Sequence, residues 1–187
     1  MKFKLEELPY LSKKLASKID CHIRPLEEKD VAMLGDLHFP WSNRKETVAK
    51  WDRYLNEQQK GIRVACILEK QSKILGYGSL ALHSEYPPFK KGGIPEIHDV
   101  WIFEEQRKKG FGSMLIRHLE QLAKGKGHRK IGIGVGLYSD YGQAQKLYFK
   151  LGYCPDGEGI SYQCAPVVPG EKYPVDDDLV LWLFKQI

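Results

Sequence analysis

No run in this sequence approaches the roughly 20 apolar residues that a bilayer-crossing helix needs, which excludes a transmembrane span. The N-terminal stretch "MKFKLEELPYLSKKLASK" has neither a continuous apolar core nor a small-residue cleavage site, so it does not read as a secretion signal. Cysteine is scarce. The four present, Cys21, Cys66, Cys154 and Cys164, form no Cys-x-x-Cys pair and no metal-ligand spacing. They read as free thiols of a cytoplasmic protein, and no metal cofactor is expected. Charge of one sign is not in large excess either. The net charge of +5 comes from scattered residues, with tight basic clusters only at "RKKG" and "KGKGHRK", and nucleic acid is not the expected partner. Internal repeats and low-complexity segments are missing.

What is present suits one domain. A chain of 187 residues, 42% apolar and 28% charged, is long enough to bury about 70% of its unfolded surface. A short strand at Cys21 to Arg24 leads through Pro25 into a helix whose first turn holds Glu27 and Glu28. "SNRKETVAKWDRYLNEQQKG" reads as a second helix, capped by Ser42 or Asn43 and ending before Gly61. "IRVACILEK" and "KILGYGSLAL" pair as a hairpin across "QS". "SEYPPFKKGGIP" reads as a loop. "EIHDVWIF" is a strand, followed by a helix to about Ala123. On that helix Phe111, Leu115, Leu119 and Leu122 share the apolar face, and Arg117, Glu120 and Gln121 point elsewhere. Another strand, "KIGIGVGL", then a helix with Ala144, Leu147, Tyr148 and Leu151 on one face, then a closing strand in "DDDLVLWLFKQI", complete an α/β domain with a mixed sheet. Residues 1–18 read as an N-terminal arm and 19–187 as the domain.

The glycines sort into two kinds. Gly132, Gly134 and Gly136 alternate inside a strand, whereas a dinucleotide fingerprint needs its glycines at a strand-to-helix turn. They suit close backbone approach of a ligand or a packed element. "GKGHRK" lacks the phosphate-loop pattern. "FEEQRKKGFGSML" is different, because a strand, a basic turn and a helix meet there. Unpaired N–H groups and the positive end of the helix dipole make this an anion site, flanked by Arg107, Lys108 and Lys109 and continuing through Gly110, Phe111, Gly112 and Ser113.

At this motif the chain resembles the general-control-type N-acetyltransferase (GNAT) superfamily, whose Arg/Gln-x-x-Gly-x-Gly/Ala signature is matched by Arg107-Lys108-Lys109-Gly110-Phe111-Gly112. "HIRPLEEKD" is similar to the family's opening strand and turn, and "AQKLYFKLGY" to its later helix, with Ala144, Leu147, Tyr148, Gly152 and Tyr153 in place. Tyr141 departs from the Asn that the family often has. The resemblance covers roughly residues 19 to 187. It implies a central mixed, mostly antiparallel sheet flanked by helices, and acetyl-CoA as cosubstrate with its pyrophosphate at the helix head. It also implies main-chain contacts to pantetheine and thioester at Trp101 and Ile102, with an N–H near Ile102 stabilising the oxyanion. Tyr148 matches the tyrosine that protonates the departing sulfur.

Amine acylation also needs a base. An amine of pKa near 10.4 is about 3.4 units from neutral at pH 7, about 4.6 kcal/mol against its nucleophilic form. On "PEIHDVWIF", strand alternation puts Glu96 and His98 on one face and Asp99 on the other. Glu96 stands fourteen residues before Gly110, the spacing some family members show for a catalytic glutamate, and is the first candidate; His98 is the second. Acceptor selection is expected from "LHFPWSNRK", with Trp41, and from "APVVPGEKYPVDDD", where Asp176, Asp177 and Asp178 could attract an amine. Tyr138, Asp140 and Tyr141 border the thioester site. The acceptor is a small-molecule or protein amine, attacked directly in a ternary complex since no cysteine lies in the matching motifs. The alternative is a non-catalytic acyl-CoA-binding module. Family members often dimerise, so a homodimer is open.

Overall fold

The sheet has eight strands in the order β1-β2-β3-β4-β5-β8-β6-β7, in a computed structural model that describes residues 21–187. The arm expected at residues 1–18 lies outside the described residues. In chain order the strands are β1 (Cys21–Pro25), β2 (Arg63–Lys70), β3 (Lys73–Ala81), β4 (Glu96–Ile102), β5 (Lys130–Gly136), β6 (Cys154–Tyr162), β7 (Ala165–Pro166) and β8 (Leu179–Gln186). The helices are α1 (Glu28–Gly35), α2 (Arg44–Gln59), α3 (Pro87–Gly92), α4 (Phe111–Gly125) and α5 (Gly142–Lys150). The expected mixed, mostly antiparallel sheet is present: among the described residues only β4 and β5 run parallel. Among the described residues no helix is long and apolar enough to cross a membrane.

Local chemistry explains the element boundaries. Asn43 caps α2, its side chain accepting the Glu46 N–H while Glu46 returns a bond to the Asn43 N–H. Gln71 and Ser72 turn the β2–β3 hairpin with φ of 48° and 61°, the left-handed pair that matches strand twist. The stretch expected as a loop contains α3. Pro87 and Pro88 begin it, where a missing N–H costs nothing, and Gly93 at φ 59° ends it, with Phe89 buried between.

Each face of the sheet has its own core. Leu34, Trp51 and Tyr54 from α1 and α2 pack with Ala65, Ile67 and Tyr77 on one side. Leu115, Ile116 and Leu119 from α4, with Tyr148 from α5, pack with Leu80, Ile97, Ile133 and Leu183 on the other. Glu120, expected to point away from the apolar stripe of α4, is not thereby left in solvent. It is buried, accepting from the Tyr153 hydroxyl (3.1 Å) and from Lys185 Nζ (2.9 Å), a contact 65 residues away in sequence. At the junction of β1 and α1, Asp30 is fully buried and takes two bonds from Arg24 (2.6 and 2.7 Å) and one from the Glu27 N–H (2.8 Å). Arg24 also holds Glu69 (2.7 Å).

The alternating glycines of β5 admit side chains of the protein itself. A Cβ at Gly132 would lie 2.1 Å from the Phe89 ring, one at Gly134 3.0 Å from Trp182, and one at Gly136 2.5 Å from Tyr141. Gly132→Ala must therefore displace a buried ring, at a cost of about 1–3 kcal/mol. The melting temperature is expected to fall by about 3–10 °C, and Phe89→Leu in the same chain should restore part of the loss in a calorimetric double-mutant cycle.

Candidate functional site

β4 and β5 pair only at Glu96–Gly132 and Ile97–Ile133. Beyond Ile97, β4 follows β3 while β5 follows β8, so the sheet opens into a V whose β4 edge has no strand partner among the described residues. The N–H of Phe103 donates to the Leu75 carbonyl (3.1 Å), so alternation turns the N–H and C=O of Ile102 the other way, toward the opening. The same alternation turns the main chain of Trp101 toward β3.

The head of α4 stands beside this opening. Lys108 at φ 60° and Gly110 at φ 86° bend the chain into it, and no side chain caps the helix. The first helical amide bond is Met114 N–H to the Gly110 carbonyl (3.1 Å). Among the described residues the amides of Lys108, Lys109, Gly110, Phe111, Gly112 and Ser113 therefore donate to nothing. Residues 107–110 are exposed. The basic side chains are unequal. Arg107 folds back, donating to the Ile102 carbonyl (3.0 Å) with its guanidinium 4.5 Å from the Trp101 ring centre. Lys109 is held by the Glu105 carbonyl (2.7 Å) and Gln106 (3.1 Å). Lys108 alone of the three has no partner among the described residues. Gly112 faces Leu147 of α5, a Cβ there reaching it at 3.2 Å, so this glycine sets the approach of α5 to α4.

One residue on, Tyr148 is 7% exposed, and its hydroxyl makes no hydrogen bond among the described residues. Burial pushes its phenol up to about 12. Tyr141 lies over Gly136 and donates to Asp177 (3.0 Å), which also accepts from Tyr138. The acidic run is thus engaged within the fold: Asp176 accepts from Tyr162 (3.0 Å) and Asp178 from Gln163 (3.1 Å).

Glu96 and His98 both lie on the α2 side of β4 but in different settings. Glu96 is buried where β4 and β5 still pair, and its Oε2 accepts from the Ser84 hydroxyl (2.6 Å). His98 is exposed, with Nδ1 3.2 Å from the Tyr54 oxygen. Asp99 does not take the opposite face. A register shift between Tyr77 and Ser79 and a φ of 60° at Asp99 mark a bulge, which turns Asp99 to the same side as His98. There it meets Tyr54 (3.3 Å) and pairs with Lys50. Tyr54 is the residue sequence reasoning missed. Its spacing from Thr47 and Trp51 marks the buried face of α2, but nothing local links it to a histidine 44 positions away. On the same side, the Trp101 indole meets the half-exposed Trp41 (ring centres 4.4 Å apart), and its Nε1 is buried with no partner among the described residues.

The sequence matches the family described as "Acetyltransferase (GNAT) family" over residues 31–153. No curated protein matches the sequence. Solved structures do match in fold. A GNAT-family acetyltransferase from Desulfovibrio desulfuricans aligns at TM-score 0.66 and 10% identity, over 89% of this chain and 98% of that one. An acetyltransferase from Salmonella typhimurium, solved with acetyl-CoA, aligns at 0.62 and 20% identity, over 89% of this chain and 94% of that one. Spermidine N-acetyltransferase from Vibrio cholerae, solved with CoA and spermine, aligns at 0.62 and 17% identity, over 90% and 96%.

Proposed function

Since the chain belongs to the GNAT acetyltransferase family, we propose that it transfers the acetyl group of acetyl-CoA to a primary amine of a small molecule or protein by direct attack. The observation that carries this reading is the row of unpaired amides from Lys108 to Ser113 at the exposed head of α4. A pyrophosphate supplies the acceptors those donors lack, and the helix dipole favours its charge. Lys108 adds a screened attraction that weakens with salt. The Ile102 N–H faces the opening where a thioester carbonyl would lie against β4, and donation there stabilises the charge that grows on oxygen. Arg107 occupies the Ile102 carbonyl on the same peptide edge and so acts as a brace for the turn. Tyr148 keeps its proton at neutral pH and holds it for the sulfur that leaves. The acetyl-CoA in the Salmonella structure, and the CoA and spermine in the Vibrio structure, support this donor and an amine acceptor.

Calorimetric titration of CoA, followed by thiol release from acetyl-CoA across an amine panel, tests the reading. Gly110→Val is the diagnostic variant, because a β-branched residue resists a φ of 86° at a cost of about 1–2 kcal/mol. CoA is expected to bind it about 5–30-fold more weakly. Unchanged affinity would place the nucleotide elsewhere. Binding without turnover on any amine would leave a CoA-binding module instead of an enzyme.

A further inference from the structure

His98 is the first residue of β4 past the last pairing with β5, and it is exposed at the mouth of the V. Its Nδ1 lies 3.2 Å from the Tyr54 hydroxyl oxygen, which lies 3.3 Å from Asp99 Oδ2. One phenol proton serves two contacts, so its placement decides the tautomer. If the hydroxyl donated to Nδ1, its oxygen would face the carboxylate with no proton between them, acceptor against acceptor. If it donates to Asp99, its lone pair accepts Nδ1–H and both contacts are satisfied. Lys50 pairs with the same oxygen, Asp99 Oδ2, and keeps that carboxylate an acceptor. The second arrangement leaves the lone pair on Nε2, which makes no hydrogen bond to a described residue.

We propose that Nε2 of His98 takes the proton from the acceptor amine, and that Tyr54 and Asp99 are positioning residues that fix its ring in the Nδ1–H tautomer. This rests on the acetyltransferase reading above. Glu96, the stronger candidate by spacing, is less suited, being buried in the closed part of the V with Ser84 on its carboxylate. The groups around the relay are Lys50, Arg53 and Glu57 on α2, Arg63 on β2, and Ser79 and Tyr77 on β3. The Arg63 guanidinium lies 4.2 Å from the Tyr54 ring centre and is itself tied to Glu57 (2.5 Å) and Ser79 (2.8 Å). Burial, and then the Asp99 charge, push the Tyr54 phenol far above its ordinary range, so it stays protonated throughout the working pH.

The proton and electron balance closes. The acceptor ammonium gives one proton to Nε2, and the freed lone pair forms the C–N bond to the acetyl carbon. The C–S bond breaks with its electrons going to sulfur, which takes the Tyr148 proton. The second proton lost by nitrogen returns to Tyr148 through water, and the imidazolium releases its own to solvent.

Nitrogen-15 NMR of the full chain, labelled at histidine, reads the tautomer directly at about pH 8.5, above the ordinary imidazole pKa of about 6.5. His98, assigned by the signal lost in His98→Gln, is expected as Nδ1–H, and Tyr54→Phe should remove that preference. An Nε2–H tautomer, or no change in Tyr54→Phe, overturns the relay. In turnover, His98→Gln should lower kcat/KM about 10²-fold or more and abolish the acidic limb of its pH profile. Glu96→Gln should keep that limb and stay within about tenfold. The reverse pattern would sink the assignment while leaving acetyl transfer standing. Absence of turnover with every amine would defeat the acetyltransferase reading, and with it any base.

Discussion

Tyr148→Phe is expected to lower kcat by about 10²–10⁴-fold while leaving CoA affinity and thermal stability nearly unchanged. The separation follows from the hydroxyl's surroundings. It is buried beside the Tyr153 ring (6.2 Å between centres) yet bonded to no described residue, so deleting it strands no protein donor or acceptor. The ring, which carries the packing on α4 and the sheet, is retained. A side chain present only for the core would lose stability or nothing. One that donates to a leaving thiolate loses rate alone, as single-turnover kinetics and calorimetry together will report. With its phenol at about 12, Tyr148 is also excluded as the source of any alkaline fall in rate near neutral pH. Equal losses of rate and CoA affinity would return the residue to a packing role.

The largest effect on stability is expected at Asp30. This carboxylate is fully buried and joins β1, the start of α1 and, through Arg24, the β2 residue Glu69. Asp30→Ala leaves the Arg24 guanidinium, itself 15% exposed, short of its bidentate partner and the Glu27 amide without an acceptor. The cost is about 3–5 kcal/mol, a fall of about 10 °C or more in melting temperature. pH dependence gives a second readout. Burial alone would raise the Asp30 carboxyl, but the Arg24 hydrogen bonds and the Glu27 amide outweigh it and hold it below the usual carboxylate range. Arg24 lowers Glu69 in the same way. A group lowered in the folded state contributes stability above its unfolded pKa of about 4 and loses it as pH falls through the folded value. Urea unfolding of the wild type should therefore weaken progressively below about pH 4, and Asp30→Asn should show a shallower fall. Parallel curves would mean that the pair contributes no linkage.

Much of this architecture was legible because it is written in local chemistry. The Asn43 cap, the β2–β3 hairpin, the basic turn before Gly110 and the apolar stripe of α5 each depend on residues a few positions apart. The alternating glycines of β5 were readable as sites of close approach, but not the identity of what approaches, since Phe89, Trp182 and Tyr141 come from three other segments. α3 was hidden by its own start signal, because three prolines and two glycines in twelve residues look like a loop. The bulge could not be read, as an aspartate at φ 60° inside a strand follows no residue preference, and it moved Asp99 to the other face. The acidic run at 176–178 shows the same limit. Its charge suggested a lure for cations, whereas tyrosines 14 and 36 positions away engage two of its three members.

α4 gathers Leu80 and Ile97 from one half of the sheet and Ile131, Ile133 and Leu183 from the other, across a seam of two paired positions. The helix at whose head an anion is proposed to bind is therefore also the rivet between two half-sheets. Any ligand that tightens the head is coupled to cohesion of the whole molecule, by RT ln(1 + [L]/Kd), about 2.7 kcal/mol at a hundredfold excess over Kd. If the proposed acetyl-CoA is that ligand, the protein would live longest where acetyl-CoA is plentiful, and its scarcity would speed unfolding and turnover.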